Sequence, residues 1–288
     1  MAFRLRTHES AAKGLKRIIK KELRSAIERL QAKHVSDEAI HDARKRIKKV
    51  RAALRLVAKD IDIGPALDHM RDAAHALSPI RDTASLIGSA QSLCSHHADE
   101  LPANTCQSLI ARLDRNKADA RRSASRENTV PKAIHLLRRV DGACKSWAWN
   151  RTGRSRVVSQ IRRTYKKARR AMRHLSLRSR SENVHEWRKR TKDLWYALRL
   201  FEKRGAPRRD LSNLEHLETW LGDDHNLAAL HAAMSPREGG GASPPGPALE
   251  AVVQHEQRAL RQKALSLGRR TLLHPPKRFE KRLRVVLR

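Results

Sequence analysis

The sequence predicts an all-α protein built from two tandem helical bundles. Apolar residues recur at steps of three and four along nearly the whole chain, and no segment alternates as a β-strand does. A strongly basic helical segment also occurs twice. The length of 288 residues fits one large domain or two smaller ones. We therefore predict an N-terminal bundle over residues 1–150 and a C-terminal bundle over residues 151–288, with a hinge near Trp149–Arg154.

Each predicted helix carries one apolar stripe. In residues 40–57 the stripe lies on one helical face and consists of Ile40, Ala43, Ile47, Val50, Leu54 and Val57. The second copy keeps the stripe and includes Trp187 in it. Similar stripes predict the remaining helices at about 9–33, 65–77, 80–97, 103–126, 131–148, 154–177, 208–233, 248–268 and 276–287.

Turn signals separate these helices. Ser36–Asp37 and Ser181 are residue types that cap helix N-termini, so we expect helices to begin there. The Gly- and Pro-rich segment Ser235–Pro247 is typical of a flexible loop.

The net charge of +33 is unevenly distributed. Residues 4–59 contain 18 basic and 6 acidic residues, net +12, and residues 151–204 contain 19 and 4, net +15. Such a charge opposes compact folding by self-repulsion, so it indicates a polyanionic partner. Nucleic acid, an anionic membrane surface and another polyphosphate are the classes that remain. Concentration into two segments favours a localised anion site over a generally adhesive surface.

The two basic segments are copies of each other. IHDARKRIKKVRAALRLV (Ile40–Val57) aligns without gaps with VHEWRKRTKDLWYALRLF (Val184–Phe201) at an offset of 144, with 9 of 18 positions identical. The same offset places LSPIRDTASL (Leu77–Leu86) opposite LGDDHNLAAL (Leu221–Leu230). A shared offset over about 45 residues indicates an internal duplication.

Basic residues form a row beside each apolar stripe. Such rows suit a phosphate polymer, because arginine forks bind oxygens bidentately, lysine supplies point charge, and histidine adds a donor. A solvated face with i,i+4 partners is the alternative, but acidic partners are few. Trp195 replaces Arg51 in the second row and is expected to leave a gap. The candidate phosphate-binding residues are His41, Arg44, Lys45, Lys48, Arg51, Arg55, His185, Arg188, Lys189, Lys192 and Arg199, and, on the preceding helices, Lys16, Arg17, Lys20, Lys21, Arg24, Arg162, Arg163, Lys166, Lys167 and Arg170.

Other motifs argue against catalysis. The basic segments contain no Gly-rich phosphate loop, and the cluster Asp223–Asp224–His225 is expected at a helix start or in a loop, not at a metal. We therefore predict no enzyme activity, no cofactor and no metal.

Cys94, Cys106 and Cys144 lack C-x-x-C spacing, so we expect no disulfide framework and a reducing cytoplasm. No signal peptide or membrane-spanning segment is expected.

The motifs IHDARKRIKKVRAALRL and VHEWRKRTKDLWYALRL resemble the CHAD (conserved histidine α-helical domain) family. LGDDHNLAAL and LGRRTLLHPPKRFEKRL are similar to the second half of that family, so the resemblance covers about residues 5–287. It implies two four-helix bundles with pseudo-twofold symmetry around a basic groove. It also implies binding of inorganic polyphosphate and, in bacteria, association with polyphosphate granules. His41 and His185 match the histidines that name the family. The basic positions are matched by Arg44, Lys48, Arg51, Arg55, Arg188, Lys189, Lys192 and Arg199, whereas Trp195 departs from the pattern.

Three other functions remain open at this stage. A polyphosphate-processing enzyme would shorten the polymer in the presence of Mg²⁺. A nucleic-acid-binding protein is permitted by the charge, although aromatic side chains for base stacking are scarce and only non-specific binding is expected. A scaffold that coats granules is compatible with polyphosphate binding.

Overall fold

The computed structural model describes residues 3–234 and 246–286, and the regular elements in these residues are all helical. The fold prediction of an all-α protein is therefore confirmed. The α-helices are α1 (Ala11–Leu30), α2 (Asp37–Val57), α3 (Gly64–Ala76), α4 (Ser78–His96), α5 (Ala103–Arg126), α6 (Thr129–Ser146), α7 (Arg154–Arg173), α8 (Ser181–Arg199), α9 (Arg208–Met234), α10 (Pro247–Thr271) and α11 (Pro276–Val286).

The helix boundaries repeat at the offset of the basic segments. The pairs α2 and α8, α3 and α9, and α5 and α10 begin 144 residues apart (181 − 37, 208 − 64 and 247 − 103). The copies differ at one place: α3 and α4 are separated at Leu77, two residues before Pro79, whereas α9 runs on without a break. The break frees backbone carbonyls at the end of α3, and one of them contributes to the site described below.

Of the two serines that were expected to cap helices, Ser36 does so and Ser181 does not. Ser36 caps α2, because its Oγ accepts a hydrogen bond of 3.2 Å from the Ala39 N–H, as predicted. The prediction that Ser181 is a cap is wrong. Arg180 occupies the N-cap position of α8 without a side-chain cap, and the Ser181 Oγ accepts a hydrogen bond from Arg261 Nη2 at 3.2 Å.

Buried apolar side chains form two clusters in the described part of the chain. The larger one extends from Phe3 to Leu283 and includes Trp187, which is 1% exposed, as its place in the apolar stripe predicts. The smaller one joins the outer parts of α4 and α5 to those of α9 and α10. Because both clusters combine residues from before and after position 150, a division into two separate bundles with pseudo-twofold symmetry stays a prediction.

The hairpin of α4 and α5 corrects the expectation for the cysteines. Cys94 lies in the last turn of α4 and Cys106 in the first turn of α5, and the structure joins them in a disulfide with a Cα–Cα distance of 6.0 Å. Packing of the two helices brings distant positions together in a way that the C-x-x-C rule does not test. Cys144 is free and buried. The expectation of a reducing cytoplasm therefore loses its support from the cysteines.

The two predicted linkers have different outcomes. The segment after α6 forms a short 3-10 helix (Trp149–Arg151), and the buried Trp149 donates from Nε1 to the Cys144 carbonyl at 3.0 Å. This anchors the segment, and its role as a hinge stays a prediction. Most of the predicted loop Ser235–Pro247 lies outside the described residues, and Pro247 begins α10.

Candidate functional site

Basic side chains from three helices meet where α2 packs against α8. We call this group the central cluster: Arg44 and Lys48 from α2, Arg81 from α4, and Arg188 and Lys192 from α8. Three histidines surround it, namely His41, His185 and His225. Each helix keeps its apolar stripe in the core, so the adjacent basic row is directed towards the neighbouring helix.

Arg44 is held by the break between α3 and α4. Its Nη1 donates to the Ala74 carbonyl and to Ser78 Oγ, the latter at 2.6 Å, and its Nη2 lies 3.7 Å from Asp82 Oδ1. The side chain is only 11% exposed. The Arg44 Nε is buried and has no hydrogen-bond partner. Arg44 is thus fixed in position while keeping an unused donor.

Arg188 occupies the equivalent position on α8 and packs against α9 at Gly222. A Cβ on Gly222 would lie 3.7 Å from both Nε and Nη2 of Arg188, so the guanidinium rests against the backbone of α9. Its Nε is buried without a partner, as in Arg44. Burial lowers the pKa of Arg188, and the positive charge of Arg81 lowers that pKa further.

The two lysines of the central cluster are partly buried among these arginines. Burial, followed by the charges of Arg188, Arg81 and Arg44, lowers the pKa of Lys48 to about 7. Burial and the charges of Lys48 and Arg188 lower the pKa of Lys192 to about 6, even though its Nζ contacts the Glu218 carboxylate. An ammonium group that has lost water and faces other cations favours its neutral form. Both lysines therefore lose part of their charge near neutral pH.

The three histidines, like the two lysines, have pKa values that are lowered by burial and by neighbouring cations. The rings of His185 and His225 lie 4.1 Å apart between centroids, at 34°. Burial, with the charges of Lys189 and Arg188, lowers the pKa of His185 to about 4, and burial with Arg188 lowers the pKa of His225 to about 4. His185 Nδ1 is buried without a partner. His41 keeps much of its surface exposed to water. Partial burial of its ring and the charge of Arg81 lower its pKa.

The segment Asp223–Asp224–His225, next to the central cluster, does not lie where the sequence predicted it. Asp223, Asp224 and His225 lie in the interior of α9, so the prediction of a helix start or a loop is wrong. Asp224 is buried and binds Arg261 Nε at 2.6 Å, whereas Asp223 is exposed and lies near Arg188. Consecutive helical residues point in different directions. Within residues 3–234 and 246–286, no group of three or more His, Cys, Asp or Glu side chains is arranged to hold a metal ion.

Two members of the site were absent from the sequence prediction. Arg81 and His225 were not among the candidate residues, although both lie in the second aligned segment. They are 144 positions apart (225 − 81), so the repeat offset places them at equivalent positions. Pairing residues across the repeat would have found them, because the pairs 41 and 185, 44 and 188, 48 and 192, and 81 and 225 all meet in one place.

Several predicted residues lie outside the central cluster and have partners of their own. Arg17 binds Glu9 through two contacts of 2.7 and 2.6 Å, and Arg162 Nε lies 3.1 Å from Glu280 Oε2. Lys16 and Lys20 lie near Cys144 of α6, since their charges act on its thiol. Arg24 is exposed, and Lys21 is partly buried on the same helix α1.

The ends of the two basic rows also diverge from the cluster. Lys45 and Lys189 are exposed at its rim. Arg51 has a buried Nε without a partner, and Arg55 Nη1 binds Asp193 Oδ1 at 2.7 Å. At the equivalent place in the second copy, the guanidinium of Arg199 lies 4.7 Å from the centre of the Trp195 ring. Four basic residues of α7 line a separate cleft: Arg163, Lys166, Lys167 and Arg170.

Comparisons with known proteins identify the fold and the family. The chain is similar to the crystal structure of the CHAD domain from the plant Ricinus communis, with a TM-score of 0.71, 18% identity and 96% of each chain covered. It is also similar to PptA from Streptomyces chartreusis, with a TM-score of 0.62, 14% identity, and 92% of this chain and 98% of that chain covered. No curated protein sequence matches. The CHAD domain model matches residues 17–235, more than half of the chain, and the chain therefore belongs to the CHAD domain family.

Proposed function

We propose that this protein binds inorganic polyphosphate at the central cluster without altering it chemically. The CHAD family is linked to polyphosphate binding, and CHAD domains are generally regarded as binding domains. The observation that carries the proposal is the convergence of five cations, with buried donors left unused on Arg44, Arg188 and His185. A chain of phosphates supplies both the negative charge and the acceptor oxygens that this group lacks.

The energetics of the cluster favour a ligand with dense charge. Buried cations without sufficient counter-charge are costly, and each is stabilised when an anion replaces the missing water. Three acids among the described residues lie nearby and do not balance them: Glu218 is bound to Lys192, Asp82 is half exposed and shared between Arg44 and Arg81, and Asp223 beside Arg188 is exposed. Consecutive phosphates of one polymer contact several of these cations simultaneously.

Nucleic acid fits the cluster less well than a bare phosphate chain. Single-stranded nucleic acid gains much of its affinity by stacking bases on exposed aromatic rings. The aromatic residues of α8 are all buried: Trp187 is 1% exposed, Tyr196 2% and Trp195 7%. The site therefore offers charge and hydrogen-bond donors without a stacking platform.

The proposal has a cellular part. We infer that polyphosphate binding recruits the protein to polyphosphate granules. No helix in the described residues is long and apolar enough to cross a membrane. A fluorescently tagged protein is expected to form foci in cells that contain polyphosphate and to disperse in cells unable to make it. Foci that persist without polyphosphate would contradict this part of the proposal.

A titration with competitors tests the binding itself. Long-chain polyphosphate is titrated into the protein, and DNA or RNA is then added at equal phosphate concentration. We expect polyphosphate to bind with an affinity that falls as salt rises, and nucleic acid to displace little of it. Displacement by nucleic acid at equal phosphate would overturn the specificity. Shortening of the chains during incubation with Mg²⁺ would overturn the non-catalytic assignment.

A further inference from the structure

The basic helices α1 and α7 are equivalent in sequence but have different surroundings. Beside α1, the N-terminal segment packs between α2 and α8. The Phe3 ring contacts the Tyr196 ring edge-on at 5.8 Å, and the Leu5 N–H donates to the Leu200 carbonyl at 2.7 Å. Phe3 and Leu5 are buried, and Glu9 of the same segment neutralises Arg17. The segment therefore covers part of the basic surface of this half.

Beside α7 the corresponding space is open. A cleft with a volume of about 620 Å³ lies between α7, the end of α2 and the middle of α8. Among the residues that line it, Arg55, Arg163, Lys166, Lys167 and Arg190 fall opposite Arg199, Arg17, Lys20, Lys21 and Arg46 when the two halves are aligned at offsets of 144 and 146. We call this space the α2/α7 cleft.

Most cations of the α2/α7 cleft have no counter-charge. Arg55 is bound to Asp193 and Arg190 to Glu186, at 2.7 Å in each case. The remaining five are exposed, and within the described residues none of them makes a hydrogen bond or a salt bridge: Lys59, Arg163, Lys166, Lys167 and Arg170. Asp193 is the only carboxylate among the described residues that line the cleft. Lys167 acts on the nearby Asp193, and the other four cations have no carboxylate partner in the part of the chain that the structure describes, so the concave surface has a strong local positive potential.

The α2/α7 cleft is separated from the central cluster. Along α2, Lys48 lies roughly 10 Å from Arg55, which is already ion-paired, and roughly 16 Å from Lys59, the cleft cation at this end of the helix that has no partner among the described residues. The ion pair of Arg55 with Asp193 lies between the two lysines. A phosphate oligomer of a few units is too short to contact both groups, whereas a long chain reaches from one to the other.

We propose that the α2/α7 cleft is a second binding site for inorganic phosphate oligomers, independent of the central cluster for short chains. The choice of ligand rests on the proposed function, while the existence of a second anion site rests on the geometry of the cleft. Short oligomers occupy the two sites separately. Long chains occupy both together, so the second site raises affinity by effective concentration and favours long polymers.

Calorimetric titration with tripolyphosphate tests this inference. The wild-type protein is expected to bind two molecules, and Lys166→Gln with Lys167→Gln is expected to weaken one site at least tenfold and leave the other. Both lysines are exposed, so the substitutions leave the core intact. Arg138→Gln with Arg139→Gln is the control, because it removes two exposed charges from α6, away from both sites. A central variant, in which Arg44, Lys48, Arg188 and Lys192 are all replaced by Gln, is expected to lose the other site.

The outcomes separate this inference from the proposed function. Two sites in the lysine variant, or one site in the wild type that only the central variant removes, would overturn the second site and leave polyphosphate binding at the central cluster intact. Loss of the same site in the lysine variant and the arginine control would show a general charge effect and overturn the inference as well. No binding of either tripolyphosphate or long polyphosphate by the wild type would overturn both.

Discussion

The central cluster and the α2/α7 cleft both concentrate positive charge, but they hold it in different environments. In the cluster, Arg44 is 11% exposed and Arg81 and Lys192 are each 17% exposed, and the lysines have lowered pKa values. In the cleft the free cations are exposed to water. Buried cations gain much when an anion replaces their lost hydration, whereas exposed cations mainly attract the ligand over distance. We expect the cluster to provide most of the binding free energy. We expect the cleft to attract polyphosphate from a distance and to lengthen the stretch of polymer that is bound.

The largest effect is expected from removing the charge of the cluster. Substitution of Arg44, Lys48, Arg188 and Lys192 by Gln should weaken binding of long polyphosphate at least 100-fold, since each charge-assisted hydrogen bond contributes about 1.5–3 kcal/mol. Isothermal titration measures the affinity, and circular dichroism checks that helicity is kept. The Lys166→Gln, Lys167→Gln protein serves for comparison and should lose far less. Similar losses in the two variants would remove the distinction between the regions.

The next effect is a dependence of binding on pH. The free-state pKa values of Lys48, about 7, and Lys192, about 6, lie below the value expected beside a polyanion. Groups whose pKa rises on binding take up protons, so affinity should fall as pH rises from about 6 to 9, by up to roughly tenfold per unit for each proton taken up. Titrations in buffers of different ionisation enthalpy measure the uptake. Lys48→Gln with Lys192→Gln should flatten the profile, and an unchanged slope in that variant would contradict the assignment.

A single substitution tests Arg81, one of the two residues that the sequence prediction missed. Arg81→Gln removes one cation that faces Lys48, Lys192 and Arg188. We expect about a tenfold loss of polyphosphate affinity, in line with one charge-assisted contact. Arg71→Gln, which removes an exposed charge from α3, is the matched control and should change affinity less than twofold. Equal effects of the two substitutions would place Arg81 outside the binding surface.

The smallest effect on binding is expected from the disulfide. Cys94→Ala with Cys106→Ala opens the hairpin of α4 and α5 at the far end of the smaller apolar cluster, which should lower the free energy of unfolding by roughly 3 kcal/mol. Polyphosphate affinity should change less than twofold, because neither cysteine contacts the central cluster. Chemical denaturation and titration on the same samples measure both quantities. If the variant is fully folded and still loses much of its polyphosphate affinity, the hairpin of α4 and α5 is needed to position the central cluster.

The helices and the basic rows could be predicted because they depend on local patterns. The 3.6-residue period fixed the stripes of α2 and α8, and the repeat at offset 144 linked His41, Arg44 and Lys48 to their counterparts. What the pattern does not contain is tertiary contact. Arg17 has the sequence appearance of a binding residue, yet Glu9 neutralises it through a segment that folds back across the surface.

The errors have the same physical origin. The pairing of Cys94 with Cys106 depends on the packing of two helices, and Asp224 inside α9 is ion-paired with Arg261, 37 residues away in sequence. Arg81 is next to Asp82, so its local sequence is that of an ordinary surface pair. The packing of α4 against α2 and α9 brings it to the lysines of α2 and α8. The contacts of Cys94 with Cys106 and of Asp224 with Arg261 leave no periodic signal in the chain, whereas the repeat offset of 144 does pair Arg81 with His225.

The most direct test is a crystal structure of the protein with a linear polyphosphate of ten or more units. The account predicts consecutive phosphates between α2 and α8, with oxygens within hydrogen-bond distance of Arg44, Lys48, Arg188 and Lys192. Phosphates bound only at other surfaces, with these four side chains still unliganded, would contradict it.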